Sequence, residues 1–190
     1  MGQIGISLYP EQTTVAKATA YLEMAHQLGY RRLFTSLLQL SGEKGRDQLA
    51  IFKAVVAKAT QLGFKTIVDI APPLFSELEI DYHDLSFFHE LGVWGLRLDE
   101  GFTGQEEALM THNQYGLKIE INMSAGTNYV DAIMPFGPRL DNLLGCHNFY
   151  PQQYTGLGDE RFVAYSQKFR HYGIRTAAFV TAPSADHGPW

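Results

Sequence analysis

One phrase recurs along this chain: a large apolar or aromatic residue, a glycine, then another apolar or aromatic residue. Leu28-Gly29-Tyr30, Leu62-Gly63-Phe64, Leu91-Gly92-Val93, Tyr115-Gly116-Leu117, Leu144-Gly145-Cys146 and Tyr172-Gly173-Ile174 all carry it. Glycine just past a helix adopts a positive φ that a Cβ would oppose, so each phrase predicts the end of a helix. A short apolar or β-branched run follows each: RRLFTSLL, KTIVDIA, VWGLRLD, LKIEINM, CHNFY and IRTAAFV, with GISLY ahead of the first. Between the runs, apolar residues repeat at helical spacing. Val15, Ala18, Leu22, Ala25 and Leu28 follow Thr13 and Thr14, either of which offers an N-capping hydroxyl. Leu49, Phe52, Val55, Val56, Ala59 and Leu62 follow Asp47, and Phe162, Ser166 and Phe169 follow Asp159. Pro135 and Pro138 weaken the helix between Gly116 and Gly145.

Strand starts near Ile4, Arg32, Lys65, Val93, Leu117, Cys146 and Ile174 lie 28, 33, 28, 24, 29 and 28 residues apart. Such a repeat is a βα unit, and right-handed crossovers make its strands parallel. Two architectures accept it. A doubly wound sheet normally has a glycine-rich phosphate turn after its first strand, and SLYPEQTT contains no glycine. The expectation is therefore an α/β chain folded as a (β/α)8 TIM-type barrel. It forms one domain over residues 1–190, which stops just past its seventh strand and leaves the barrel incomplete. Ile6, Phe34, Ile67, Gly95 and Ala178 are expected inside it.

Composition narrows the function classes. A chain of 190 residues with 45% apolar and 13% aromatic residues can bury a sizeable core. A net charge of -5, without any Lys/Arg run, speaks against a nucleic-acid partner. The single Cys146 forms no internal disulfide and is read as a core residue in a reducing compartment. Met1 to Pro10 lacks the pattern of a signal peptide, and no run reaches ~18 apolar residues. A cytoplasmic protein without a membrane partner is expected.

The loops after barrel strands form the active-site mouth, so the strand ends carry the functional reading. They are Tyr9 and Glu11, Ser36, Asp69, Arg97 with Asp99 and Glu100, Glu120 with Asn122 and Ser124, Asn148 with Tyr150, and Thr181. Polar groups gathered at one end of otherwise apolar strands predict a cleft for a polar substrate. Blander readings stand beside this one: Arg97 with Asp99 as an internal ion pair, and Asp69 as a cap for the following turn. The histidines show no metal spacing: His89-Glu90 lacks a second histidine four residues after the first, and His147 stands alone on its strand. What remains is carboxylates, amides and phenols. Two carboxyls flanking a bond can cleave a glycoside, one as acid and the other as base or nucleophile. Asp99 and Glu120 fall on adjacent strands, whose axes run about 4.8 Å apart, within reach of the ~5 to 9.5 Å separation that glycosidases use. Asn122, Asn148, Tyr150 and Tyr154 suit sugar hydroxyls. Arg97 is expected to pair with Asp69 or Glu120 on a flanking strand.

The segments GISLYPE, LRLDEGF, IEINMS and HNFYPQQYTGLG together resemble a bacterial family of (β/α)8 proteins, the 6-phospho-N-acetylmuramidases, from Gly5 to about Pro189. The resemblance implies a cytoplasmic glycosidase that removes 6-phospho-N-acetylmuramic acid from N-acetylglucosamine during cell-wall recycling. It implies no cofactor, and a phosphorylated amino-sugar disaccharide as the small-molecule partner. Members usually continue through an eighth strand into a smaller cyclophilin-like domain, which this sequence lacks; of a phosphate site after the last strands, Ser184, His187 and Gly188 are present. Other readings are a phosphosugar lyase or aldolase using Lys118, and a non-catalytic sugar-binding barrel fragment. Whether the chain forms a homo-oligomer is left open.

Overall fold

The protein is described by a computed structural model covering residues 4–38, 43–99, 101–122, 129–149, 158–174 and 177–181. It forms two compact units. One comprises the chain up to Phe102 with Asn113–Lys118, the other Thr103–His112 with the chain from Ile119 on.

The first unit alternates strand and helix: β1 (Gly5–Ser7), a 3-10 turn (Pro10–Gln12), α1 (Val15–Gln27), β2 (Arg32–Leu37), α2 (Glu43–Gln61), β3 (Lys65–Ile70), α3 (Pro72–Glu77), α4 (Ser86–Glu90) and β4 (Gly95–Leu98). The strands are parallel and pair in chain order, with Ser7 opposite Phe34, Phe34 opposite Ile67, and Ile67 opposite Gly95. One sheet face packs against helices. Leu8 and Leu33 bury there with Ala18, Leu22 and Ala25 of α1, Val55 and Ala59 of α2, and Phe64. Removing each such large side chain from water contributes on the order of 1.5–3 kcal/mol. Ile6 packs against this same cluster, which corrects its expected place in the barrel interior. Strand alternation puts Ile6 on the parity of Leu8 and Leu33, and Ser7 on the opposite face. That opposite face carries the row Ser7, Phe34, Ile67 and Gly95. Gly95 has no room for more, since a Cβ there would lie 2.8 Å from the Lys118 carbonyl oxygen and 2.9 Å from Ile67 Cδ1.

The second unit contains α5 (Gly104–Thr111), nearly all of β5 (Lys118–Asn122), α6 (Tyr129–Ile133), 3-10 turns at Met134–Phe136 and Leu140–Asn142, β6 (Leu143–Phe149), α7 (Gly158–His171) and β7 (Ala177–Thr181). These strands are parallel too, with Ile119 opposite Leu143, Glu120 opposite Leu144, Asn122 opposite Cys146, and Cys146 opposite Ala178. Ala108, Ile121, Val130, Ile133, Leu143, Phe169 and Ile174 bury together on the helix-facing side.

The repeating glycine phrase sets most of these boundaries. Gly29, Gly63, Gly92, Gly116 and Gly173 all have positive φ, between 71° and 91°. Thr14 caps α1 by accepting from the Lys17 N–H. Three expectations need correction. Gly145 ends no helix; it lies inside β6, where a Cβ would fall 2.1 Å from Phe169 Cζ. Its glycine is a matter of close packing, not of turn geometry. Cys146 is accordingly mid-strand, buried, and does not open β6. Asp47 is not the cap of α2, because helix-favouring Glu43, Lys44 and Arg46 extend it toward the N-terminus. Among the described residues, no helix is long and apolar enough to cross a membrane.

Candidate functional site

Parallel register dictates the candidate site of the first unit. Ser36 lies opposite Asp69, and Asp69 opposite Arg97, one row beyond Phe34, Ile67 and Gly95 on the face turned away from the helices. Tyr9 belongs to this row by position, two residues past Ser7, and the Leu8 N–H still donates to the Phe34 carbonyl. The four side chains named from strand ends on β1 to β4 thus stand side by side. Arg97 is only 4% exposed, and its Nε lies 3.6 Å from Asp69 Oδ1. Among the described residues, Asp69 is an ion-pair partner of Arg97, as the flanking-strand reading expected. A buried guanidinium without a carboxylate would be costly, and the pair offsets that cost. Below it, Phe34 places its ring centre 5.1 Å from the guanidinium carbon, and Tyr9 meets the same ring edge-on at 6.2 Å. Burial, then the Asp69 charge, raise the pKa of the Tyr9 phenol; the Arg97 charge and a hydrogen bond with Ser7 pull the other way. The phenol keeps its proton at neutral pH. Asp99 follows in the next register row, its N–H donating to the Ile70 carbonyl.

The second unit, described by itself, carries Glu120. It is buried on β5, and alternation sets it opposite in face to Ile121, which packs on the helices. Asn122 follows two residues on, opposite Cys146, and Asn148 pairs in register with Val180. Tyr150 and Tyr154 lie outside the described residues, as do Glu100, Ser124, Ser184, His187 and Gly188.

Two features escaped sequence reasoning. Phe34 read as an interior residue, with no signal that its ring would underlie Arg97. Glu107 on α5 is the other: it is 3% exposed, and Oε2 has no hydrogen-bond partner among the described residues. Burial, with help from the Glu106 charge, raises its pKa to about 8. A signal for the start of α5 was available, because Thr103-Gly-Gln-Glu106 is a capping box. The Thr103 hydroxyl accepts from the Glu106 N–H, and the Glu106 carboxylate accepts from the Thr103 N–H at 2.7 Å. Among the described residues, no three His, Cys, Asp or Glu side chains converge as metal ligands would.

Repeated parallel βα units, with charged and aromatic side chains gathered at the carboxyl ends of the strands, define an α/β protein of the class that builds its sites at strand ends. Residues 4–190 match the family described as "6-phospho-N-acetylmuramidase, N-terminal", and the chain belongs to that family. Among solved structures, an uncharacterized B. cereus protein is 44% identical with a TM-score of 0.73, over 99% of this chain and 50% of its own. A conserved protein of unknown function from Enterococcus faecalis is 26% identical with a TM-score of 0.71, over 96% of this chain and 49% of its own. The chain therefore spans about half the length of these two relatives. An endocellulase from Pyrococcus horikoshii, solved with cellotetraose, covers the whole chain and 78% of its own at 10% identity, TM-score 0.61. At that identity the likeness is one of fold alone, to a TIM-barrel cellulase. Comparison with curated proteins gives no match.

Proposed function

We propose that this chain is the barrel part of a cytoplasmic glycosidase that cleaves 6-phospho-N-acetylmuramic acid from N-acetylglucosamine in cell-wall recycling. The observation that carries this reading is the family match over residues 4–190. The barrel is the (β/α)8 type, entered here through its first seven strands. Asp99 and Glu120 form the carboxylate pair: one protonates the glycosidic oxygen as it leaves, and the other activates water or attacks the anomeric carbon. Tyr9, Ser36, Asp69 and Arg97 line the substrate's side of the first unit. Phenol and hydroxyl groups meet sugar hydroxyls, and Arg97 contributes the cation that an anionic sugar requires. Asn122, Asn148, Tyr150 and Tyr154 complete the polar lining.

Asp99→Asn and Glu120→Gln are each expected to lower turnover of the phosphorylated disaccharide by ~10² or more while leaving the circular dichroism spectrum unchanged. Near-parental turnover in either variant removes that residue from the pair. Borohydride added with substrate separates the lyase reading, because only a Schiff base would leave Lys118 covalently modified. Saturable binding of the disaccharide without any turnover would make the chain a sugar-binding module.

A further inference from the structure

Arg97 and Phe34 belong to different strands. Arg97 rises from β4 and Phe34 from β2, with β3 and its Asp69 between them. Neighbouring strands run about 4.8 Å apart, yet the Arg97 guanidinium carbon lies 5.1 Å from the centre of the Phe34 ring. The side chain has therefore left its own strand, crossed the front of β3 and come to rest over β2. Its own strand offers it no support, because the residue beneath it on the same face is Gly95. Asp69 supplies the opposite charge, with Oδ1 3.6 Å from Nε. An ion pair tolerates many placements of a long side chain, whereas a ring attracts a cation only over its face, within about 6 Å of its centre. The ring is itself held. Phe34 lies in register between Ser7 and Ile67, its carbonyl accepts from the Leu8 N–H at 2.9 Å, and Tyr9 meets it at an interplanar angle of 73°.

We infer that Phe34 is a positioning residue for this site: its ring face draws the Arg97 guanidinium off β4 and holds it over β2, where it meets the anionic group of the substrate. The meeting with substrate rests on the proposed glycosidase reading, whereas the placement over β2 does not. Phe34 carries no polar atom and acts through Arg97. A residue that merely filled space there would need the volume of a phenyl ring; one that places a cation needs the electron-rich face as well. The two roles part when the face is made poorer in electrons at nearly constant size. Tyr9 reports the outcome from within the site. Burial and the Asp69 charge raise the pKa of its phenol, and the Arg97 charge opposes them. A guanidinium that drifts back toward β4 therefore lets Tyr9 titrate at higher pH.

Phenylalanines carrying progressively more ring fluorine are placed in the full chain at Phe34, and Tyr9 is followed by carbon NMR, its signal assigned from Tyr9→Phe. Fluorine withdraws electrons from the face while hardly enlarging the ring. The Tyr9 titration should move to higher pH in the order of fluorine content. In an Arg97→Met background, or Arg97→Gln if that variant does not fold, the same series should leave Tyr9 unmoved. A titration that stays put or falls with Arg97 present overturns the inference. So does an equal rise with and without Arg97, which would mean that the ring acts on the phenol directly. Calorimetry with the phosphorylated disaccharide reads the role in binding: Kd should weaken by about threefold or more from the plain to the most fluorinated ring. If Tyr9 moves but the disaccharide binds equally to the whole series, or to none of it, Phe34 still positions Arg97. What fails then is the assignment of Arg97 to the substrate's anion.

Discussion

Glu107 places a carboxyl where a charge is costly, and its raised pKa has a defined sign. The folded state holds the proton up to about pH 8, whereas an unfolded Glu releases it near 4.3. Its contribution to stability is therefore complete below the unfolded value and is lost as pH rises toward the folded one, at about 1.4 kcal/mol per pH unit. Urea midpoints should fall between pH 5 and pH 8. Glu107→Gln should flatten that slope and be the more stable protein at pH 8; a slope that persists in the variant belongs to another group. The Arg97 neighbourhood gives a second prediction. Arg97→Met leaves the Asp69 carboxylate without its cation, which costs roughly 3 kcal/mol for a buried pair. It also removes the charge that holds the Tyr9 phenol down, so Tyr9, followed by carbon NMR of labelled tyrosine, should titrate at higher pH. A Tyr9 titration that does not move would mean that Arg97 does not act on the phenol. Tyr9, Ser36, Asp69 and Arg97 were legible from sequence because each ends an apolar run, and register then brings them level. Phe34 and Glu107 were not, because an aromatic on a strand and a glutamate on a helix look ordinary until their neighbours are in place.

At the scale of elements, glycine carried most of what could be read in advance. Five of the six glycine phrases end a segment at positive φ, and the strand runs follow them. The sixth fails for a reason that no local pattern contains: Gly145 is small because the ring of Phe169, from α7, lies against β6. Gly145→Ala should then destabilise by roughly 1–3 kcal/mol through overpacking. Combined with Phe169→Leu it should cost less than the sum of the two single changes, since the smaller side chain leaves room for the added methyl. Strict additivity in urea unfolding would show that the contact is not the cause. Helix α5 offers a simpler measurement, because Thr103→Ala removes one arm of its capping box and should cost ~1 kcal/mol. Short helices such as α3 and α4 gave no periodic signal, as five or six residues span less than two turns.

For the molecule as a whole, the repeat foretold parallel strands that pair in chain order within each unit, but not that the chain divides into two compact units that interleave in sequence. The first unit does not end at Phe102; it includes Asn113–Lys118. Asn113 clamps this segment by accepting from the Leu117 N–H and donating to the Leu117 carbonyl. The Tyr115 hydroxyl donates to Asp84, its ring stacks on His89, and the Lys118 N–H donates to the Trp94 carbonyl. A fragment ending at residue 118 should accordingly resist urea better than one ending at 102, which forfeits all of these contacts; equal midpoints would show that the segment is dispensable. Chain-order pairing has a further consequence, for synthesis. Each strand of the first unit waits for a partner only one βα unit behind it, as Gly5 does for Arg32 and Ile67 for Gly95. The sheet can therefore grow strand by strand as the ribosome releases the chain. While it grows, the newest strand always presents an open edge, and the surrounding cell must keep that edge from the wrong neighbour until the next repeat emerges.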